Sequence, residues 1–136
     1  MIKKLWRLTV RDEFSAAHAL RCYEGKCERL HGHNYSVELT VEGQKLTPKT
    51  YLLLDFKTLK TILAEVLGKL DHQMLNDVPP FDESNSSSEN LAQYIWQGVA
   101  ARLTEYGDHQ AKFVRLVSVS VSEKNSQTAV YMEIDE

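Results

Sequence analysis

From His33 to Val41 the chain alternates without interruption: His33, Tyr35, Val37, Leu39 and Val41 fall on one side, and Asn34, Ser36, Glu38 and Thr40 on the other. A period of two belongs to a β-strand with one buried face, so this run predicts a half-buried strand. Such a strand needs neighbours. Leu8 and Val10 suggest one partner. Val117, Val119 and Val121, alternating with serines, suggest another, and after Lys124–Gln127 a closing strand carries Val130, Met132 and Ile134. Helical spacing appears twice. Phe56, Leu59, Ile62, Leu63, Val66, Leu67 and Leu70 follow Asp55 as N-cap. Leu91, Ile95, Val99 and Leu103 follow Ser86 and Glu89, which have capping-box spacing, and that helix should run toward Tyr106 before Gly107 stops it. The expected fold is α+β, a mostly antiparallel four-stranded sheet with two helices on one face.

At 136 residues the chain is expected to form one domain, 1–136. The net charge of −3 comes from mixed signs and offers no basic stripe, which argues against a nucleic-acid partner. No apolar run reaches bilayer length, and Met1–Arg7 lacks the apolar stretch of a secretory leader, so no membrane association is expected. The two cysteines, Cys22 and Cys27, are then read as reduced thiols of a cytoplasmic protein, with a disulfide between them as the alternative.

Chemistry concentrates in Cys27-Glu28-Arg29-Leu30-His31-Gly32-His33. On an extended strand His31 and His33 point to the same side, supplying two of the bonds that an ion such as zinc requires. His18 can supply a third if its segment pairs antiparallel with the strand starting at His31. Three imidazoles with an open fourth position are the pattern of a catalytic zinc, although paired histidines also occur in metal-free loops. Cys27 is either a fourth ligand or a thiol facing a substrate. Glu123 continues the apolar face of Val117–Val121, so it is either solvated at a frayed strand end or accepts two N–H groups from a flat nitrogen heterocycle. Asp71-His72 is either a solvated helix end or, near a metal and a thiol, an acid–base relay.

Taken in order, Phe14-Ser15-Ala16-Ala17-His18, Cys27-x-x-x-His31-Gly32-His33, Asp55-Phe56, Asp71-His72-x-x-Leu75-Asn76, Ser88-Glu89-Asn90 with Trp96 in the following helix, and Val119-Ser120-Val121-Ser122-Glu123 span nearly the whole chain. This order of motifs resembles the 6-pyruvoyltetrahydropterin synthase superfamily. The three-residue gap between Cys27 and His31 is most similar to its 6-carboxytetrahydropterin synthase branch, which supplies queuosine and other deazapurine pathways.

The resemblance implies the tunnelling fold, in which sheets join edge to edge into an oligomeric barrel, commonly a hexamer of two trimers with active sites between subunits. It implies zinc on His18, His31 and His33, and 7,8-dihydroneopterin triphosphate as substrate. Cys27 would take a side-chain proton, Asp71 and His72 would relay protons, Glu123 would anchor the pterin and share in the relay, and Ser87 and Ser88 would help hold the ring. The products would be 6-carboxy-5,6,7,8-tetrahydropterin, acetaldehyde and triphosphate. Glu28-x-x-His31-Gly32-His33 also resembles a branch that uses glutamate to form 6-hydroxymethyl-dihydropterin. A dual-function or folate-type enzyme, a pyruvoyl-type synthase, and a zinc-stabilised binding module without activity are therefore the alternatives.

Overall fold

A computed structural model describes residues 1–22, 28–106 and 109–136. Its elements are β1 (Trp6–His18), β2 (His31–Gly43), α1 (Phe56–Leu67), β3 (Gln73–Met74), α2 (Ser88–Glu105), β4 (Arg115–Lys124) and β5 (Gln127–Tyr131). They form one sheet in the order β3-β1-β2-β4-β5. All pairings are antiparallel except that of β3 with β1.

The alternation of β2 sets the layering. Tyr35, Val37, Leu39 and Val41 are fully buried and share a core with Val10 and Phe14 of β1 and Val119 and Val121 of β4. α1 packs on β1, α2 packs on β4 and β5, and the helices touch each other. Leu59, Ile62, Leu63 and Val66 of α1 and Leu91, Ile95 and Val99 of α2 close this core. Each such side chain contributes about 1.5–3 kcal/mol by leaving water. Asp55 caps α1 by accepting the Lys57 N–H at 2.8 Å. No helix among the described residues is long and apolar enough to cross a membrane.

The opposite face of the sheet is polar. Thr9 and Thr40 share a hydroxyl hydrogen bond of 2.8 Å, and Arg11 donates to Glu38 at 2.6 Å. Glu42 is only 5% exposed and accepts from Arg7 at 2.9 Å and from Arg115 at 3.2 Å. The Arg7 bond foremost, with Arg115, holds the Glu42 carboxyl below its ordinary 4.5, although burial opposes the shift. A carboxyl whose folded pKa is depressed adds stability above its unfolded value and loses it as the pH falls through the folded one. Glu42→Gln is therefore expected to cost about 1–2 kcal/mol at neutral pH, where both arginines are partly solvated. That gap should shrink by about pH 3, below the unfolded value. Urea unfolding of both proteins at the two pH values checks this, and an undiminished gap in acid would refute it.

Four sequence expectations are corrected. The sheet has five strands, not four, because the chain leaving α1 is drawn onto β1: the His72 N–H donates to the Ser15 carbonyl at 2.6 Å, and Gln73–Met74 then pair with Ala16–Ala17. In β4 the buried residues are Leu116, Val119 and Val121, because a register shift opposite Thr40/Val41 leaves Val117 out of the alternation. In β5 the inward side chains are Ala129 and Tyr131, opposite Val121 and Val119, and Tyr131 sets its ring edge-on to Trp96 at 5.4 Å. Val130 is exposed, and Met132 and Ile134, expected in this strand, lie beyond its end at Tyr131. Finally, α2 is capped by Ser87, which accepts the Asn90 N–H at 3.2 Å, so Ser86 is not the cap. Gly107, expected to stop that helix, lies outside the described residues.

Candidate functional site

Antiparallel pairing of β1 with β2 places His18 directly opposite His31, and Ala16 opposite His33. The three imidazoles thereby meet on the core side of the sheet, with their candidate ligand atoms all within 4.8 Å of one another. His18 is 1% exposed. Its Nδ1 lies 3.0 Å from the Ser86 carbonyl and 2.9 Å from the Ser86 hydroxyl. A carbonyl only accepts, so Nδ1 carries the hydrogen and the lone pair belongs to Nε2. His31 Nδ1 lies 2.8 Å from the Arg29 carbonyl, and the same reasoning frees its Nε2.

His33 Nε2 is buried without a hydrogen-bond partner, although Glu123 Oε2 approaches to 3.5 Å. An orphaned buried nitrogen carries a desolvation penalty of roughly 1–3 kcal/mol. A cation would remove that penalty. Burial holds the His18 pKa below its ordinary 6.5, against the opposing charge of Glu123 and the Ser86 carbonyl. At neutral pH the ring is therefore uncharged, the form that binds metal. Donor type, tautomers and the orphaned atom all fit a zinc ion.

The strand β4 carries Glu123 to the edge of this cluster. Its side chain is 19% exposed, and its Oε1 accepts from the Ser88 hydroxyl at 3.1 Å. The strand is not frayed there, since β4 continues to Lys124. Beside Glu123, residues Ser88, Glu89 and Gln127–Val130 line an open groove of about 370 Å³. A carboxylate fixed in this way presents acceptor oxygens to a planar ligand.

Asp71 and His72 are held against β1, where His72 and His33 line one open recess. Asp71 accepts the Ser15 N–H at 2.9 Å, and its other oxygen is 3.0 Å from His72 Nδ1. The Ser15 amide foremost, and then His72, hold the Asp71 carboxyl below its ordinary range. The His72 side chain is 82% exposed and borders an open recess of about 530 Å³ with Ser15, Gly32 and Asn34. The structure thus brings together His18, His31, His33, Glu123 and Ser88, and leaves the Asp71–His72 pair at the β1 edge of the sheet.

The segment after His18 is held by side chains that act as strand partners. Asn76 accepts from the Ala19 N–H at 3.0 Å and donates to its carbonyl at 2.9 Å. Asn85 does the same for Arg21 at 2.7 and 2.8 Å. Between them, Glu28 Oε1 accepts the Leu20 N–H at 3.0 Å, and the Glu28 N–H donates to the Leu20 carbonyl at 2.9 Å. Cys27 lies outside the described residues.

A family model described as 6-pyruvoyl tetrahydropterin synthase matches residues 7–134. The chain belongs to this family. A Poecilia reticulata relative named 6-pyruvoyl tetrahydrobiopterin synthase is 38% identical over 115 residues, covering 74% of this chain and 78% of the relative. A Pyrococcus furiosus relative named dihydroneopterin monophosphate aldolase is 36% identical over 110 residues, covering 81% and 87%. An Archaeoglobus fulgidus relative, provisionally named 6-carboxy-5,6,7,8-tetrahydropterin synthase, is 33% identical over 93 residues, covering 68% and 75%. Among solved structures, Plasmodium vivax 6-pyruvoyltetrahydropterin synthase with a catalytic glutamate replaced by alanine superposes with a TM-score of 0.76 at 24% identity, covering 96% of this chain and 99% of that one. This likeness shows the shared fold.

Two residues beside the histidine cluster escape a reading of motifs alone. Spacing alone makes Ser86 a helix cap, yet it bonds His18. The fully buried Tyr35 reads as a core residue, yet its hydroxyl lies 3.3 Å from both His18 ring nitrogens. Burial, with the charges of Glu123 and Glu28, pushes its phenol well above the usual tyrosine range, so it stays protonated. Its position two residues after His33 on the same strand face was the available signal.

Proposed function

We propose that this chain is a zinc-dependent 6-carboxytetrahydropterin synthase, converting 7,8-dihydroneopterin triphosphate and water to 6-carboxy-5,6,7,8-tetrahydropterin with release of acetaldehyde and triphosphate. The observation that supports it most is the convergence of His18, His31 and His33 beside Glu123, with the buried His33 Nε2 lacking a partner. His18, His31 and His33 hold the zinc, which supplies Lewis acidity toward oxygens of the substrate side chain. Cys27 removes the side-chain proton. Glu123, held by Ser88, accepts N–H groups of the pterin, and the Ser87 and Ser88 segment flanks the ring. Asp71 and His72 stand at the β1 edge, so in a homo-oligomer with sites between subunits they relay protons for a neighbour's site.

Zinc-loaded protein incubated with dihydroneopterin triphosphate is expected to yield the carboxy product and acetaldehyde, identified by mass and by a coupled assay. A pyruvoyl product without acetaldehyde would instead establish the synthase reaction carried in the name of the Poecilia relative. Glu123→Gln exchanges an acceptor for a donor against the ring's N–H groups. It is expected to weaken pterin binding by about 1–3 kcal/mol, the scale of an unmatched buried polar group. Calorimetric titration with a pterin checks this, and unchanged affinity removes Glu123 from the site.

A second reading is favoured by the aldolase name of the Pyrococcus relative and by the catalytic glutamate of the Plasmodium vivax enzyme. In it Glu28 acts as a base toward 6-hydroxymethyl-dihydropterin. Glu28 also has a holding role, because one of its oxygens accepts the Leu20 N–H. Glu28→Gln preserves that acceptor and removes the base, whereas Glu28→Ala removes both. If Glu28 is a base, a hydroxymethyl product should be detectable in wild type and lost in both variants. Absence of that product in wild type discards this reading.

A further inference from the structure

We infer that Ser86 is a positioning residue for the metal site, fixing the tautomer of His18 and tying that ligand to the entry of α2; this rests on the zinc reading above. Ser86 is 2% exposed, and the capping role at this helix belongs to Ser87. A buried hydroxyl with no capping role costs free energy unless it finds another partner. Its partner is His18 Nδ1, on which the Ser86 hydroxyl and carbonyl converge at 2.9 and 3.0 Å. Both oxygens accept the Nδ1 hydrogen. The opposite tautomer would set the Nδ1 lone pair against the carbonyl and a hydrogen on Nε2, where a cation must bind. Histidine ligands depend on such a partner for orientation and basicity, and its loss typically weakens metal binding 10–100-fold.

The surroundings of Ser86 extend this role. The Tyr35 hydroxyl meets the same ring at 3.3 Å, so His18 is held by a second polar group besides Ser86. Two residues beyond Ser86, Ser88 holds Glu123 at 3.1 Å. Asn90 steadies this turn by donating to the Asn85 carbonyl at 2.8 Å. One short stretch of backbone at the start of α2 therefore carries the support of a metal ligand, the helix cap and the support of the carboxylate, in consecutive serines.

The test compares wild type, Ser86→Ala and Ser87→Ala, using zinc alone as the probe. Zinc dissociation constants come from competition with a chromophoric chelator, and the His18 tautomer of the metal-free protein comes from long-range proton–nitrogen NMR. Ser86→Ala retains the backbone carbonyl, so its constant is expected to rise about 10-fold, the lower end of the range for such partners. Its ring spectrum should keep the Nδ1–H form, because the Ser86 carbonyl still accepts that hydrogen. Ser87→Ala is expected to lower the unfolding midpoint while leaving zinc affinity within about two-fold, since only the cap is lost. An unchanged constant in Ser86→Ala overturns the inference, as does an equal loss in Ser87→Ala, which would point to general loosening of the helix entry. Failure of wild type to hold zinc is seen separately and overturns the metal reading itself.

Discussion

His33→Ala is expected to lose zinc and turnover together. His33 sits on a strand paired on both sides, and its ring is one of three nitrogen donors whose candidate ligand atoms lie within 4.8 Å of one another. Removing it leaves two donors for an ion that takes at least three from the protein in catalytic sites. The loss of affinity should exceed the 10–100-fold seen when only an outer partner of a ligand is removed. Turnover should fall by about 10³-fold or more, because Lewis-acid stabilisation of several kcal/mol is withdrawn. His31→Ala should behave alike. Metal analysis after dialysis, read beside single-turnover kinetics, makes the comparison. Full zinc occupancy with normal turnover in either variant would sink the assignment of these histidines.

Cys27→Ala should separate what His33→Ala joins. In the proposed site the three histidines supply the metal donors, so the variant is expected to keep zinc at wild-type stoichiometry. Its turnover should drop by about 10²–10⁴-fold, the usual contribution of a positioned acid or base. In the proposed site a thiolate near the ion would be favoured by its charge, which would suit it to remove a proton. The measurement is zinc content and product formation on the same preparation. Zinc loss in this variant would make Cys27 a fourth ligand, closing the coordination shell and favouring a binding module over an enzyme.

The parts of this protein legible in its sequence are those where a period is long and one face is buried. The β2 alternation extends over His33–Val41 and leaves no choice of register, since a one-residue slip would expose Tyr35, Val37 and Leu39. With β2 fixed, the opposition of His18 to His31 required only an antiparallel partner. Other features have no period to read. β3 is two residues long and exists because a backbone bond joins His72 to Ser15. The bulge at Val117 is hidden, because the alternation of letters continues through it while the backbone does not. At the start of α2 consecutive serines are equally good caps by type, and the turn geometry alone separates Ser87 from Ser86. β5 ends at Tyr131, so Met132 and Ile134 lie beyond the strand and the alternation they suggest with Val130 is not a strand face. Asp71 and His72 stood out as a pair, but their place at the β1 edge follows from the amide of Ser15, a backbone group the motif does not mention.

Leu20 and Glu28 are joined by two hydrogen bonds, which close a loop between the strand that ends at His18 and the strand that begins at His31. The cost of lengthening a closed loop grows only logarithmically, about 0.6 kcal/mol for each doubling. Residues could therefore be added between Arg21 and Glu28 without shifting His18 or His31, which are anchored by the sheet on either side of the closure. A longer loop could then carry a different reactive group while the histidines paired across β1 and β2 keep their places. Divergence of chemistry on this scaffold then requires little more than editing one tether.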